Sequence, residues 1–326
     1  MKTGFLLGKF HPLHVGHLGL IQFALKHCDK LLILLCASEK ESIDGKTRLE
    51  WLQNSFPMLP IQIILLEYVE SELPNTSVSS RIVSKIWAAK IQKIVPHMDV
   101  LFTSERYGDY LAEYLHCKHI PYELDRHSNP ISASGILKQP VAHWESIAPA
   151  ARPFFVQKIC ICGTESTGKS TLTERLARHY QTNYVAEVGR EIVPQTDLCT
   201  EKHLEQIANR HAEAIEQQVK TAHKYLFVDT DVRTTQAYAQ FLFGKPLVIN
   251  DFVKKANQFR GHLFLDKDVP FVQDGTRLTV RRRNRLHQVH LDTLAAQAIP
   301  YQLLSGNWAN RFEKAVAWID HLNQKV

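Results

Sequence analysis

Gly163-Thr164-Glu165-Ser166-Thr167-Gly168-Lys169-Ser170 is a complete phosphate-binding loop, G-x-x-x-x-G-K-S, in the middle of a 326-residue chain. At average residue frequencies the pattern arises by chance in about one chain in a hundred of this length. Its flanks strengthen the reading: 155–162 is strand-like, and 170–180 reads as a helix. In that setting Gly163 and Gly168 let the backbone N–H groups wrap a phosphate. Lys169 reaches the β- and γ-phosphates of ATP and Ser170 ligates Mg²⁺. Thr164, Glu165, Ser166, Thr167 and Thr171 complete the expected nucleotide contacts. Such a module opens its own domain, yet about 160 residues precede it. Two domains are therefore expected, 1–150 and 151–326.

Bulk composition narrows the class. The chain is 44% hydrophobic and 22% charged, normal for a protein with a real core. No apolar run approaches the ~20 residues that span a bilayer, and the apolar start runs straight into a strand rather than forming a leader. A cytoplasmic protein is expected. The six cysteines, at 28, 36, 117, 160, 162 and 199, include no C-x-x-C pair. Cys160 and Cys162 alternate on a strand, share one face and read as small core residues. The net charge of +6 suits anionic small molecules and does not call for nucleic acid.

Short apolar runs at 3–7, 31–36, 61–66 and 99–102 alternate with helical periodicity at 15–27, 47–56, 79–94 and 107–117. That is a doubly wound α/β pattern with buried parallel strands. The stretch 140–153 reads as a short helix and linker. The second half repeats the logic, with strands at 156–162, 183–186, 225–229, 261–265 and 300–304 and a long helix over 201–223.

Three further features belong with the loop. The strand 225–229 ends in Asp229, which can hold Mg²⁺ through water or take the proton of an attacking hydroxyl. Asp274-Gly275-Thr276-Arg277 suits a lid whose Arg277 stabilises charge on the transferred phosphoryl group. Glu187, Arg190 and Glu191 follow the second strand beside the acceptor pocket. Carboxylates there favour a cationic acceptor, and an N-ribosyl pyridinium is one.

The N-terminal half carries a second site. Its first strand runs into Gly8-Lys9-Phe10-His11-Pro12-Leu13-His14-Val15-Gly16-His17 and then an amphipathic helix. Gly8 allows close backbone approach to a ligand at the strand's C-terminal end. His14 and His17 flank Gly16 at a helix start and form a seat for negative charge. No strong covalent nucleophile is nearby, so the fitting chemistry is phosphoryl-type transfer by positioning and charge stabilisation. A zinc site on His11, His14 and His17 is not expected, because a passage containing Pro12 cannot keep three rings convergent.

The decapeptide from Gly8 to His17 resembles the G-x-F-x-P-x-H-x-G-H signature of nucleotidyltransferases of the nicotinamide-mononucleotide and phosphopantetheine adenylyltransferase type. Their second signature, I-S-x-T-x-I-R, is similar to Ile131-Ser132-Ala133-Ser134-Gly135-Ile136-Leu137, with Ser134 for the Thr and Leu137 for the phosphate-holding Arg. The resemblance implies nucleotide contacts at Lys9, Phe10, Gly16, Ser104 and Ser132, and a substrate contact at Arg48. Small polar residues around Ser77 stand where an aromatic ring would stack on nicotinamide. Taken whole, the chain resembles the NadR-type bifunctional proteins. That implies an HxGH-type Rossmann-like nucleotidyltransferase domain followed by a P-loop kinase domain, with Asp231 on the kinase's substrate side. The implied ligands are ATP, Mg²⁺, nicotinamide riboside, nicotinamide mononucleotide and NAD. Some members carry a helix-turn-helix repressor domain; none is expected here, since the first strand begins by about residue 3. Two alternatives stay open: an N-terminal domain that only senses NAD or ATP, or a transferase with another acceptor. Oligomeric state, a homo-oligomer included, is open too.

Overall fold

The computed structural model describes residues 1–75, 78–123, 132–193, 195–273 and 277–322. The chain divides into two compact units, Met1–Arg152 and Pro153–Val326.

The first unit runs β1 (Thr3–Gly8), α1 (Val15–Leu25), β2 (Lys30–Ser38), α2 (Gly45–Ser55), β3 (Ile61–Tyr68), α3 (Arg81–Ile94), β4 (Val100–Thr103), α4 (Tyr107–Leu115), β5 (Lys118–Pro121) and α5 (Ala133–Lys138). The strands are all parallel, in the order β3-β2-β1-β4-β5. Leu31 to Ala37 of β2 are all buried, as a strand covered on both faces requires. Sequence periodicity did not suggest β5. Lys118-His119-Ile120-Pro121 has little apolar signal and ends in proline, both tolerable only at a sheet edge. Side-chain caps adjust the helix starts. Asp44 accepts from Thr47 N–H at 2.9 Å and starts α2 at Gly45, while Ser80 caps α3.

The stretch 140–153 is packed rather than loose. Trp144, Ile147, Ala148 and Ala151 are buried. Ala148 N–H donates to the Leu13 carbonyl at 3.1 Å, and Ile147 bridges His14. This segment thereby braces the turn that carries the histidines.

The chain enters the second unit through α6 (Arg152–Phe155). There follow β6 (Gln157–Cys162), α7 (Lys169–His179), β7 (Tyr184–Val185), α8 (Gly189–Ile192), α9 (Glu201–Val219), β8 (Tyr225–Asp229), α10 (Val232–Phe243), α11 (Asp251–Ala256), β9 (Gly261–Leu265), α12 (Val280–Ala296), β10 (Tyr301–Leu304) and α13 (Trp308–Leu322). Again the sheet is parallel, ordered β10-β9-β6-β8-β7. Cys160 and Cys162 lie in one core cluster with Phe264 and Leu294. The helix expected over 201–223 stops at Val219. His223 N–H is needed by the Thr182 hydroxyl at 2.9 Å, and Lys224 turns through a φ of 63° to start β8. No helix among the described residues is long and apolar enough to cross a membrane.

Candidate active sites

In the second unit the loop leaves the C-terminal end of the central strand β6 and enters α7. Two glycines make the path possible. Gly163 has φ 140°, and a Cβ there would lie 2.8 Å from the backbone oxygen of Leu265. Gly168 has φ 87°, with the Trp308 ring where a Cβ would stand. Backbone cannot yield as a ring tip can, so Gly163→Ala is expected to cost about 3 kcal/mol, read as a lowered urea midpoint; an unchanged midpoint would contradict the geometry. Thr167 donates to Thr164 C=O at 2.8 Å, and both residues are buried. They shape the loop and do not face the cavity. Arg311, fully buried on α13, supports it from behind through Thr167 C=O at 2.8 Å and through Asp268.

The loop closes one end of a cavity of about 380 Å³. Gly163, Glu165, Ser166, Gly168, Lys169, Ser170 and Thr171 line it, as do Glu187, Arg190 and Arg277. Lys169 Nζ lies 3.3 Å from Thr164 C=O. The Ser170 hydroxyl donates to Asp229 Oδ2 at 2.5 Å. Asp229 ends β8 almost fully buried, and its other carboxylate oxygen has no hydrogen-bond partner among the described residues. Burial pushes this carboxyl up to about 6, against the pull of Lys169. An orphaned, buried carboxylate oxygen beside a hydroxyl is a donor set that fits a hard divalent cation.

Besides Thr164 and Thr167, two further expected residues lie elsewhere. Asp231 is buried and does not line the cavity. It caps α10 at Thr234 N–H (3.1 Å), pairs with Arg233 (3.0 Å) and meets His262 at 3.2 Å. Burial raises its pKa, but those partners outweigh it and hold the carboxyl down near about 2. Cys160, Asp231 and His262 cluster in the interior; with a guanidinium already on the carboxylate, they read as a hydrogen-bonded core group. Glu191 turns outward to Arg210 at 3.4 Å. Glu191 sits within the four-residue helix α8, whereas Glu187 precedes that helix and lines the cavity. Residues 274–276 of the expected lid lie outside the described residues, but Arg277 is in the cavity wall. Among Arg281, Arg282, Arg283 and Arg285 at the start of α12, Arg283 alone is buried, donating to Glu165 C=O at 2.9 Å.

Sequence reasoning missed Thr196, His211 and Tyr238, which line the same cavity. His211 is buried on α9, and burial lowers its pKa against the carboxylates of Glu187 and Asp231. Each comes from a separate element with no local motif.

In the first unit a cavity of about 440 Å³ opens at the C-terminal ends of β1 and β4, where the strand order reverses. Gly8, Lys9, Phe10, His17 and Ser104 line it. His14 caps α1: its Nδ1 accepts from Gly16 N–H at 3.1 Å, and His17 Nδ1 accepts from His14 N–H at 3.4 Å. The rings stack at 3.7 Å between centroids. An accepting Nδ1 leaves the proton of each neutral ring on Nε2; of the two rings, His17 lines the cavity and His14 stacks behind it at the helix cap. His11 instead accepts from Ile43 N–H at 3.3 Å, and the three rings do not converge on a metal.

Arg48 does not line the cavity. It is fully buried and held by Glu41 at 2.8 Å, and it donates to Lys9 C=O at 2.7 Å. Its role is to fix the Lys9 backbone. Glu41, missed from sequence, also pairs with the Lys9 ammonium at 3.0 Å. Ser132 caps α5 through Gly135 N–H at 3.2 Å and is exposed, while its neighbour Ala133 reaches the cavity. Ile131 and Ser77 lie outside the described residues. Aromatic rings nonetheless line this cavity: Trp87 of α3 and Tyr68 of β3, edge to face at 5.1 Å, with Tyr107.

Two doubly wound parallel sheets, one bearing a phosphate-binding loop, define an α/β P-loop protein with a second Rossmann-like unit. Residues 158–311 match the family described as an AAA domain. Over 297 residues the chain is 31% identical to the trifunctional NAD biosynthesis/regulator protein NadR of Escherichia coli (strain K12), spanning 84% of this chain and 71% of that protein. The chain belongs to the NadR family. The nicotinamide-nucleotide adenylyltransferase of Thermococcus onnurineus (strain NA1) is 24% identical over 165 residues, 48% of this chain and 83% of that one. In fold, the chain is similar to a NadR protein solved in complex with NAD and AMP-PNP, at a TM-score of 0.80, 20% identity and 100% and 97% coverage.

Proposed function

We propose that this chain is a two-site NAD salvage enzyme, with a ribosylnicotinamide kinase in residues 153–326 and a nicotinamide-mononucleotide adenylyltransferase in residues 1–152. The observation that carries the kinase is the Ser170–Asp229 contact of 2.5 Å beside Lys169, at the end of a cavity walled by Glu187. The riboside's 5′-oxygen attacks the γ-phosphorus of ATP. The bond to the β–γ bridging oxygen breaks, ADP leaves, and the hydroxyl proton passes to a carboxylate of the site. Lys169 and the loop N–H groups hold the triphosphate, Arg277 faces the developing charge, and Glu187 counters the positive pyridinium ring. Ser170 and Asp229 would hold Mg²⁺, which when bound neutralises phosphate charge.

In the other site a phosphate oxygen of the mononucleotide attacks the α-phosphorus of ATP, and pyrophosphate leaves. His14 and His17 donate to the crowded phosphates from Nε2, Lys9 adds charge, and Glu41 with Arg48 holds Lys9 in place. Trp87 and Tyr68 offer flat faces to the pyridinium ring, the part left unfilled by the polar residues near Ser77.

The test is direct. Purified protein with Mg·ATP and nicotinamide riboside is expected to form the mononucleotide and then NAD, followed by chromatography. A chain that phosphorylates ordinary nucleosides and ignores the riboside would sink the substrate claim. A pH prediction accompanies it. Protonated Asp229 can neither accept a proton nor seat a cation, so kcat/KM of the kinase is expected to fall as pH drops through about 6. An acid limb near 4, the ordinary carboxylate range, would contradict the buried environment.

A further inference from the structure

We infer that Glu165, the third residue of the phosphate-binding loop, is a positioning residue that sets the place of Arg277. The inference rests on the kinase reading and deepens it. Within such a loop the backbone N–H groups serve phosphate, and the side chains are free for other work. Here the Glu165 side chain is a junction of three segments. Oε1 accepts from the Tyr238 hydroxyl at 3.0 Å and the Thr196 hydroxyl at 3.2 Å. Oε2 accepts from Leu278 N–H at 3.0 Å. Tyr238 and Thr196 belong to the cavity wall, and Leu278 is the residue after Arg277.

The other flank of Arg277 is pinned by the neighbouring loop residue. Val272 N–H donates to the Ser166 hydroxyl at 2.9 Å, and the Arg277 guanidinium donates to Val272 C=O. Gln273 donates its side-chain amide to Arg277 C=O at 3.1 Å. Val272, which accepts from the Arg277 guanidinium, and Leu278, which follows Arg277, are thus each tied to a side chain of the phosphate-binding loop. A carboxylate suits the junction because it accepts at both oxygens. Glutamine keeps the shape but must turn its NH₂ group toward either Leu278 N–H or the two hydroxyls.

The test is a double-variant cycle on riboside phosphorylation. Glu165→Gln is expected to lower kcat about ten-fold or more, with KM for ATP changed less than about two-fold. Arg277→Ala lowers kcat further. In the double variant the Glu165→Gln loss is expected to disappear, because the group it positions is gone. Losses that multiply in the double variant would overturn the inference, as would a Glu165→Gln chain with unchanged kcat. Glu165→Asp keeps the charge and withdraws it by one methylene; it must show the same masking, and it serves if the glutamine variant does not fold. A wild-type chain inert toward the riboside and every nucleoside overturns the kinase reading itself. An active chain with multiplicative losses overturns only this inference.

Discussion

Lys169→Ala is expected to reduce riboside phosphorylation by about three orders of magnitude, the scale seen when a preorganised donor to transition-state charge is removed. Lys169 lines the cavity, and its ammonium makes one hydrogen bond among the described residues, to Thr164 C=O at 3.3 Å. Its loss therefore takes little from the fold, and thermal unfolding is expected to move only slightly. The loop's path depends on Gly163, Gly168, Thr167 and Arg311, all untouched by the change. Initial rates with saturating Mg·ATP are the measurement. Activity within a few-fold of wild type would remove the kinase assignment, because no other lysine lines this cavity among the described residues.

His17→Ala should lower NAD formation from the mononucleotide by about a hundred-fold or more, again as the loss of a fixed donor beside phosphate. The side chain has a second job, since its Nδ1 accepts from His14 N–H and helps cap α1. His17→Asn separates the two. Its amide oxygen can serve the cap while its NH₂ group sits closer to the backbone than the imidazole Nε2. If His17 acts on phosphate, Asn restores stability without restoring rate; if it serves only the cap, Asn restores both. A wild-type chain that binds ATP or NAD tightly without turnover would instead make the first unit a sensor.

The two motifs were legible because each is local. A loop that must wrap phosphate needs glycines where a side chain would collide, and Gly163 and Gly168 are such positions. The turn from β1 into α1 is equally self-contained, since His14 and His17 bond to each other's backbone within four residues. Buried parallel strands announce themselves as continuous apolar runs, which is why β1 to β4 were readable. Edge strand β5 was not, because half of its environment is solvent.

What fell out of reach were the walls. Trp87 reads in sequence as one more residue of an inward helical stripe, and only the tertiary structure sets its ring against Tyr68 in the cavity wall. Arg48 and Asp231 stand next to functional segments and look like ligand contacts, but burial commits both to protein partners. Glu187 and Glu191 are indistinguishable by composition until the short helix α8 assigns one to the cavity and the other to Arg210.

The amino-acid sequence by itself determined the glycine-rich turn before α7, the histidine turn before α1 and the parallel α/β scaffold beneath them, because these follow from glycine sterics, capping and hydrophobic period over a few consecutive residues. Tertiary structure alone decided which charged and aromatic side chains face each cavity. That choice depends on packing between elements more than about a hundred residues apart, as between Glu165 and Leu278, 113 residues apart, and no local pattern encodes it.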